Sequence, residues 1–258
     1  SLIIFYLATI SLALFTIYSR FHKSANPLKN FAAPDIKFIM HIQSIGLPIG
    51  LAIFVETSVF CVIALLIARL GPDVVAAHQI TLNISSLLFM VPLSLAYALT
   101  VLVGQSQGKN NPTESRRIWR NALIVNLLLS SGNAAILLFL RGPIVALYSS
   151  DIAVVSLATH LLIFAAMYQL SDAIQIGAAG ALRGYKDTLA TLVLTVISFW
   201  LVGLPLGYYL GLSQEAPLGA EGFWIGLVAG LSVNAVLLLT RLRFVSGKAI
   251  SAHTQLHN

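Results

Sequence analysis

The sequence is poor in charge. Charged side chains make up 9% of its 258 residues and hydrophobic ones 58%, with a mean hydropathy of +0.89. A soluble domain carries about a quarter charged residues, so this chain lacks the polar atoms to coat a water-facing surface. Disorder and fibrous structure are excluded on the same ground. With a single cysteine, Cys61, no internal disulfide can form, and a disulfide-held scaffold is excluded. Cys61 sits in an apolar run, where a small buried thiol is ordinary. No initiator methionine or basic leader precedes the first apolar run. That run reads as a helix of the mature protein, and the chain is expected to begin inside a longer one. What remains is an all-α polytopic membrane protein.

A helix needs about 20 apolar residues to cross the hydrocarbon core. Seven stretches qualify: residues 2–18, 45–68, 74–103, 118–140, 152–182, 189–212 and 223–240. The third and fifth are long enough to tilt, bend or project. Pro48, Pro92 and Pro205 fall inside spans, where a missing backbone donor invites a kink.

The 15 Lys and Arg residues alternate between connections. The first holds Arg20, Lys23, Lys29 and Lys37, and the second only Arg69. The third holds Lys109, Arg116, Arg117 and Arg120, and the fourth only Arg141. Arg183 and Lys186 fall in the fifth, none in the sixth, and Arg241, Arg243 and Lys248 follow the last span. By the positive-inside rule the odd connections and the C-terminus are cytoplasmic. The net charge of +6 is thus a topology signal, not the single basic face that nucleic-acid binding needs.

The first connection is the longest polar stretch and carries Asn26-Pro27 and Ala33-Pro34. One helix precedes it and six follow. The organisation expected is the last helix of an N-terminal lobe (1–19), a cytoplasmic inter-lobe linker (20–38), a six-helix C-terminal lobe (39–246) and a cytoplasmic tail (247–258). The rest of the N-terminal lobe is then this chain's partner, and membrane lipid its surroundings.

Seven of the nine acidic residues lie in connections or near span ends; Glu56 and Asp172 do not. Glu56 is 11 residues past Ile45 and Asp172 is 11 before Arg183, so each lies about 16 Å from the same boundary, near the midplane. A carboxylate there costs about 2.5–3.5 kcal/mol even on the forgiving insertion scale. No Lys or Arg falls in the interior of a span to neutralise either acid. They must be protonated, bind a cation or face a wet cavity. Tyr168 lies four residues before Asp172, one turn away on the same helical face. A phenol and two carboxylates offer oxygen ligands for a hard cation such as Na⁺, and a buried carboxyl can equally exchange protons near neutral pH.

Of the other polar residues in spans, His78, Gln79, Asn83, Gln169 and Gln175 are candidates to line a cavity, and are as readily explained by interhelical hydrogen bonds. His41, His78 and His160 show no metal-ligand spacing. Glycines at 177, 180 and 184 and at 226 and 230 have the spacing for close helix contact. There is no Gly-x-Ser-x-Gly turn, paired aspartate motif or Gly-rich phosphate loop, so no enzyme, catalytic residue or cofactor is indicated.

Several segments resemble the multidrug and toxic compound extrusion (MATE) family, in particular its NorM-type bacterial branch. SIGLPIGLAIFVETSVF looks like the opening helix of that family's C-terminal lobe, with its mid-helix acid at Glu56. AAHQI and VLVGQSQGKNNPTESRRIWR look like the next helix and its basic loop. YQLSDAIQIGAAGALRGYKDT resembles the tenth helix, with the Tyr-x-x-x-Asp pair at Tyr168 and Asp172. The resemblance implies a twelve-helix antiporter of the bacterial inner membrane, with two six-helix lobes, exporting cationic amphipathic drugs in exchange for Na⁺ or H⁺. It also implies that Glu56, Tyr168 and Asp172 bind the coupling cation, Na⁺ being favoured. A lipid-linked precursor flippase or polysaccharide exporter of related architecture is the alternative, and an intramembrane enzyme a more distant one.

Overall fold

The computed structural model describes residues 6–12, 14, 35–212 and 217–257, helical almost throughout and without a strand among them. Residues 6–12 and 14 are helical; the rest of the first expected span, and linker residues 20–34, lie outside the described residues. The helices are α1 (Ile36–Ile67), α2 (Pro72–Gly108), α3 (Pro112–Ala146) and α4 (Ile152–Gly184). There follow α5 (Thr188–Val196), a π-helical segment (Ile197–Gly203), α6 (Leu204–Leu212) and α7 (Ala220–His257). The π segment joins α5 and α6 into one membrane-length rod, so among the described residues six helices are long and apolar enough to cross a bilayer.

Each helix outruns the apolar stretch that announced it, because caps rather than hydrophobicity set its ends. The Asp35 carboxylate accepts from the Lys37 N–H at 2.9 Å, starting α1 inside the expected linker, which was to run to residue 38. Asn111 accepts from the Glu114 N–H at 3.0 Å ahead of α3, and Asp151 from the Ala153 N–H at 2.8 Å ahead of α4. Pro72 and Pro112 occupy first-turn positions, where a missing N–H costs nothing. The expected tail from residue 247 is no separate element: α7 continues to His257.

Pro48 and Pro92 sit inside unbroken helices. Pro205 lies two residues after the π segment. Its ring would meet the carbonyl four residues earlier in a continuous α-helix, and the wider π winding relieves that conflict.

The chain divides into two units, Ser1–Gln43 and Ser44–Asn258. In the second, α4 is central: it packs along α2, α3 and α7 and buries its surface nearly all round. Its glycines explain how closely. A Cβ on Gly180 would lie 2.6 Å from the Ala96 carbonyl oxygen of α2, and one on Gly184 2.7 Å from Val103. On the opposite flank, Gly226 of α7 meets Gly207 of α6 in the same way, at 2.5 Å. The main core joins Val59, Ile63 and Ile67 of α1 to Leu161 and Leu162 of α4, Phe199 of the π segment and Phe223 and Leu227 of α7. Cys61, expected to be buried, is exposed; on α1 it lies off the Val59–Ile63 face and faces outward, as a neutral thiol can against lipid.

Candidate functional site

Unlike α4, α1 meets the bundle through side chains with few close backbone approaches, and space remains between them. A cavity of about 760 Å³ lies there, in the range of sites for drug-sized molecules. From α1, Ile53, Glu56, Thr57 and Phe60 line it at helical spacing. Gln79, Asn83, Ser86, Phe89 and Tyr97 of α2 form the facing wall. Tyr168, Ile176 and Arg183 of α4, with Tyr148 and Trp224, complete it.

The cavity therefore brings Glu56 and Tyr168 together. Asp172 is not in its lining. It lies between Tyr168 and Ile176 on the lining face of α4, yet it is fully buried, and neither carboxylate oxygen has a hydrogen-bond partner. It remains within electrostatic reach of both Glu56 and Tyr168. Among the described residues no group of three His, Cys, Asp or Glu side chains could hold a metal; the acids here number two, and their company is a phenol, hydroxyls and amides.

Of the five candidate lining residues, Gln79 and Asn83 face the cavity, where the Tyr148 hydroxyl donates to Asn83 Oδ1 at 3.0 Å. His78, Gln169 and Gln175 are buried behind the wall. His78 accepts from the Trp224 indole N–H at Nδ1, 3.2 Å away. Indole can only donate, so His78 is held neutral with its remaining proton on Nε2. Gln169 donates to the Ser85 carbonyl at 3.5 Å, and Gln175 is placed to hydrogen-bond Glu56.

Two features escaped the sequence. Phe60, Tyr168, Trp224 and His78 form a chain of edge-on rings, with successive centroids 6.4, 6.4 and 5.9 Å apart. Single aromatics in four spans give no sign of converging. Arg183, read as part of a connection, belongs to the last turn of α4 and lines the cavity within electrostatic reach of Glu56. Its spacing of 7 from Ile176 and 15 from Tyr168 was the available signal, since both intervals return near the same helical face.

The geometry can be set beside known proteins. MdtK, a multidrug resistance protein of Photorhabdus laumondii, is 44% identical over 222 residues, which is 85% of this chain and 49% of that protein. PmpM, a multidrug resistance protein of Pseudomonas aeruginosa, is 45% identical over 225 residues, 86% of this chain and 47% of that one. The chain thus spans about half the length of the curated relatives it matches. Among solved structures, a MATE transporter in its bent conformation superposes with a TM-score of 0.85 at 18% identity, covering 96% of this chain and 55% of the other. The eukaryotic MATE transporter AtDTX14 gives 0.81 at 22% identity, covering 96% and 56%. These likenesses establish the fold. The MatE family model matches residues 48–209, more than half of the sequence and every helix that builds the cavity except α7, and the chain belongs to that family.

Proposed function

We propose that this chain is the C-terminal half of a secondary active multidrug exporter of the bacterial inner membrane. It exchanges cationic amphipathic compounds for Na⁺, or alternatively H⁺, by alternating access. The observation that carries the reading is the juxtaposition at α1 and α4. Glu56 and Tyr168 open on a drug-sized, aromatic-walled cavity, and Asp172 stands unpaired directly behind it. The names of MdtK and PmpM as multidrug resistance proteins support the substrate class, and membership of a transporter family speaks against an enzyme.

The division of labour follows from charge. Aromatic faces attract a desolvated organic cation by about 0.5–2 kcal/mol each, and Glu56 supplies the matching charge. An ion entering with the membrane potential gains about 2.3 kcal/mol per 100 mV. If that ion and the drug draw on the same negative charge, ion binding expels the drug, and rocking of the two lobes keeps the gates from opening together. The odd connections and the C-terminus then face the cytoplasm. The flippase reading calls for several cations around a pyrophosphate; the lining here has one, Arg183.

The test is efflux of ethidium from proteoliposomes carrying the complete transporter, with Na⁺ and H⁺ gradients imposed separately. Gradient-driven efflux is expected, faster with Na⁺. Efflux indifferent to both gradients would sink the antiport reading.

A further inference from the structure

Arg183 is a fixed cation in a cavity expected to receive cations. It belongs to the last turn of α4 and lines the cavity on the same helical face as Tyr168 and Ile176. The residue is half-buried, and among the described residues its guanidinium enters no hydrogen bond or ion pair. A guanidinium carries five N–H donors and no acceptor, and withdrawing it from water without a partner is costly. A ligand that supplies an acceptor offsets that cost.

Glu56 is not that partner. The two are within electrostatic reach of each other, yet no ion pair joins them. Gln175, placed to hydrogen-bond Glu56, precedes Arg183 by eight residues, about 12 Å along the helix axis. Tyr97 of α2, which also lines the cavity, is within electrostatic reach of Arg183, and its hydroxyl can donate to the same acceptor. Among the lining residues Glu56 and Arg183 carry the only formal charges, one of each sign and set apart. Phe60, Phe89, Tyr168 and Trp224 wall the same space with rings. A simple organic cation can use Glu56 and is repelled by Arg183. An aromatic molecule with a cationic centre and a carboxylate held apart from it can use both, and it matches a lining of no net charge.

We propose that Arg183 is a specificity-determining residue that receives the carboxylate of zwitterionic aromatic substrates while Glu56 takes their cationic centre. The planar fork suits a carboxylate, which it can bind through two parallel N–H bonds. The proposal rests on the drug-export reading and deepens it by assigning a second chemical group of the substrate to a second residue. A cation in the last turn of a helix also offsets the helix dipole. A residue kept for that purpose alone would treat an acid and its ester alike.

The probes are therefore rhodamine B and its ethyl ester, which share one delocalised cation and differ by a carboxylate. Each is titrated by fluorescence anisotropy against the purified complete transporter as wild type, Arg183→Gln and Arg183→Lys. In Arg183→Gln the Kd of the acid is expected to rise about tenfold, the scale of one lost charge-assisted hydrogen bond. The Kd of the ester should fall about two- to fivefold, because a like charge near the bound cation is gone. Arg183→Lys keeps the charge and loses the fork, so its ratio of the two Kd values should lie between those of wild type and Arg183→Gln. That ratio is the readout in whichever variant is monodisperse in detergent. Parallel shifts of acid and ester overturn the proposal, as does a wild type that binds no acid. Efflux of the ester under an imposed gradient separates the two readings. Gradient-driven efflux with an unaltered ratio removes the carboxylate subsite and leaves the exporter; the expected ratio without gradient-driven efflux keeps the subsite and sinks the antiport.

Discussion

Along its length α4 meets its neighbours in two opposite ways. From Gly177 to Gly184 it has almost no side chains on its inner face, and the α2 backbone closes to within the reach of a missing Cβ. From Tyr168 to Gln175 it carries polar groups that the surrounding helices bury without fully pairing. In lipid, helices gain little by hiding apolar surface from one another, so contact depends on close packing and polar bonds. The glycine half of α4 uses that contact for rigidity. The polar half leaves it incomplete, and the incompleteness is where an ion can enter. On the proposed antiport, one helix serves as both anchor and site.

The comparison breaks most sharply at Asp172. Asp172→Asn keeps the volume and removes the charge, so folding should persist while ion-driven ethidium efflux falls to the rate seen without a gradient. The amide also gains donors that buried acceptors nearby can use, so the thermal midpoint should stay at the wild-type value while efflux is lost. Efflux at wild-type rate would mean that the unpaired half of α4 is merely structural.

The glycine half is broken by adding one carbon. A Cβ at Gly180 would press on the Ala96 carbonyl, a backbone atom that cannot move aside cheaply. Gly180→Ala should lower the stability of the detergent-solubilised protein by about 1–3 kcal/mol. Gly50→Ala on α1, where a Cβ meets nothing within 4 Å, should be neutral or slightly stabilising, since alanine favours the helix. Thermal midpoints of the pair decide it; equal shifts would remove the claim that α4 is anchored by close backbone approach.

Much of this contrast was legible in the sequence and some of it could not be. A carboxylate amid 20 apolar residues is conspicuous, so Glu56 and Asp172 stood out, and Tyr168 followed from a spacing of four. The six spans among the described residues followed from length and hydropathy. Helix ends did not, because Asp35, Asn111 and Asp151 cap helices in regions that hydropathy reads as connections. Arg183 was assigned to water for the same reason. The placement of His78 behind Trp224, and of Gln169 and Gln175 behind the wall, depends on which helices neighbour one another. Periodicity within one helix carries no such information.

The aromatic chain gives a smaller test on the cavity side. Trp224→Phe retains a ring beside Tyr168 and removes the N–H that His78 Nδ1 accepts. Indole binds cations better than benzene does, by a margin of order 0.5–1 kcal/mol, so the Kd for ethidium should rise roughly two- to fivefold in a fluorescence titration. Na⁺ half-saturation should hardly change, because the indole of Trp224 offers an ion neither an oxygen nor a charge. A variant that loses Na⁺ binding instead would show that the aromatic chain is part of the ion site.

The smallest effect is expected where α4 hands over to α5. Arg241 of α7 donates to the Asp187 carboxylate through Nε at 2.6 Å and through its terminal nitrogen at 3.3 Å. This forked pair ties the residue before α5 to α7 at the Arg183 end of α4, beyond the glycine contacts. Both side chains keep some exposure, 39% for Arg241 and 18% for Asp187, so water screens the charges and the pair contributes about 1 kcal/mol at most. Asp187→Asn should lower the thermal midpoint slightly, with the difference shrinking as salt is raised, and should leave ethidium affinity and Na⁺ half-saturation unchanged. A larger loss, or one that salt does not reduce, would mean that the glycine contacts alone do not hold α4 and that this ion pair shares in anchoring it.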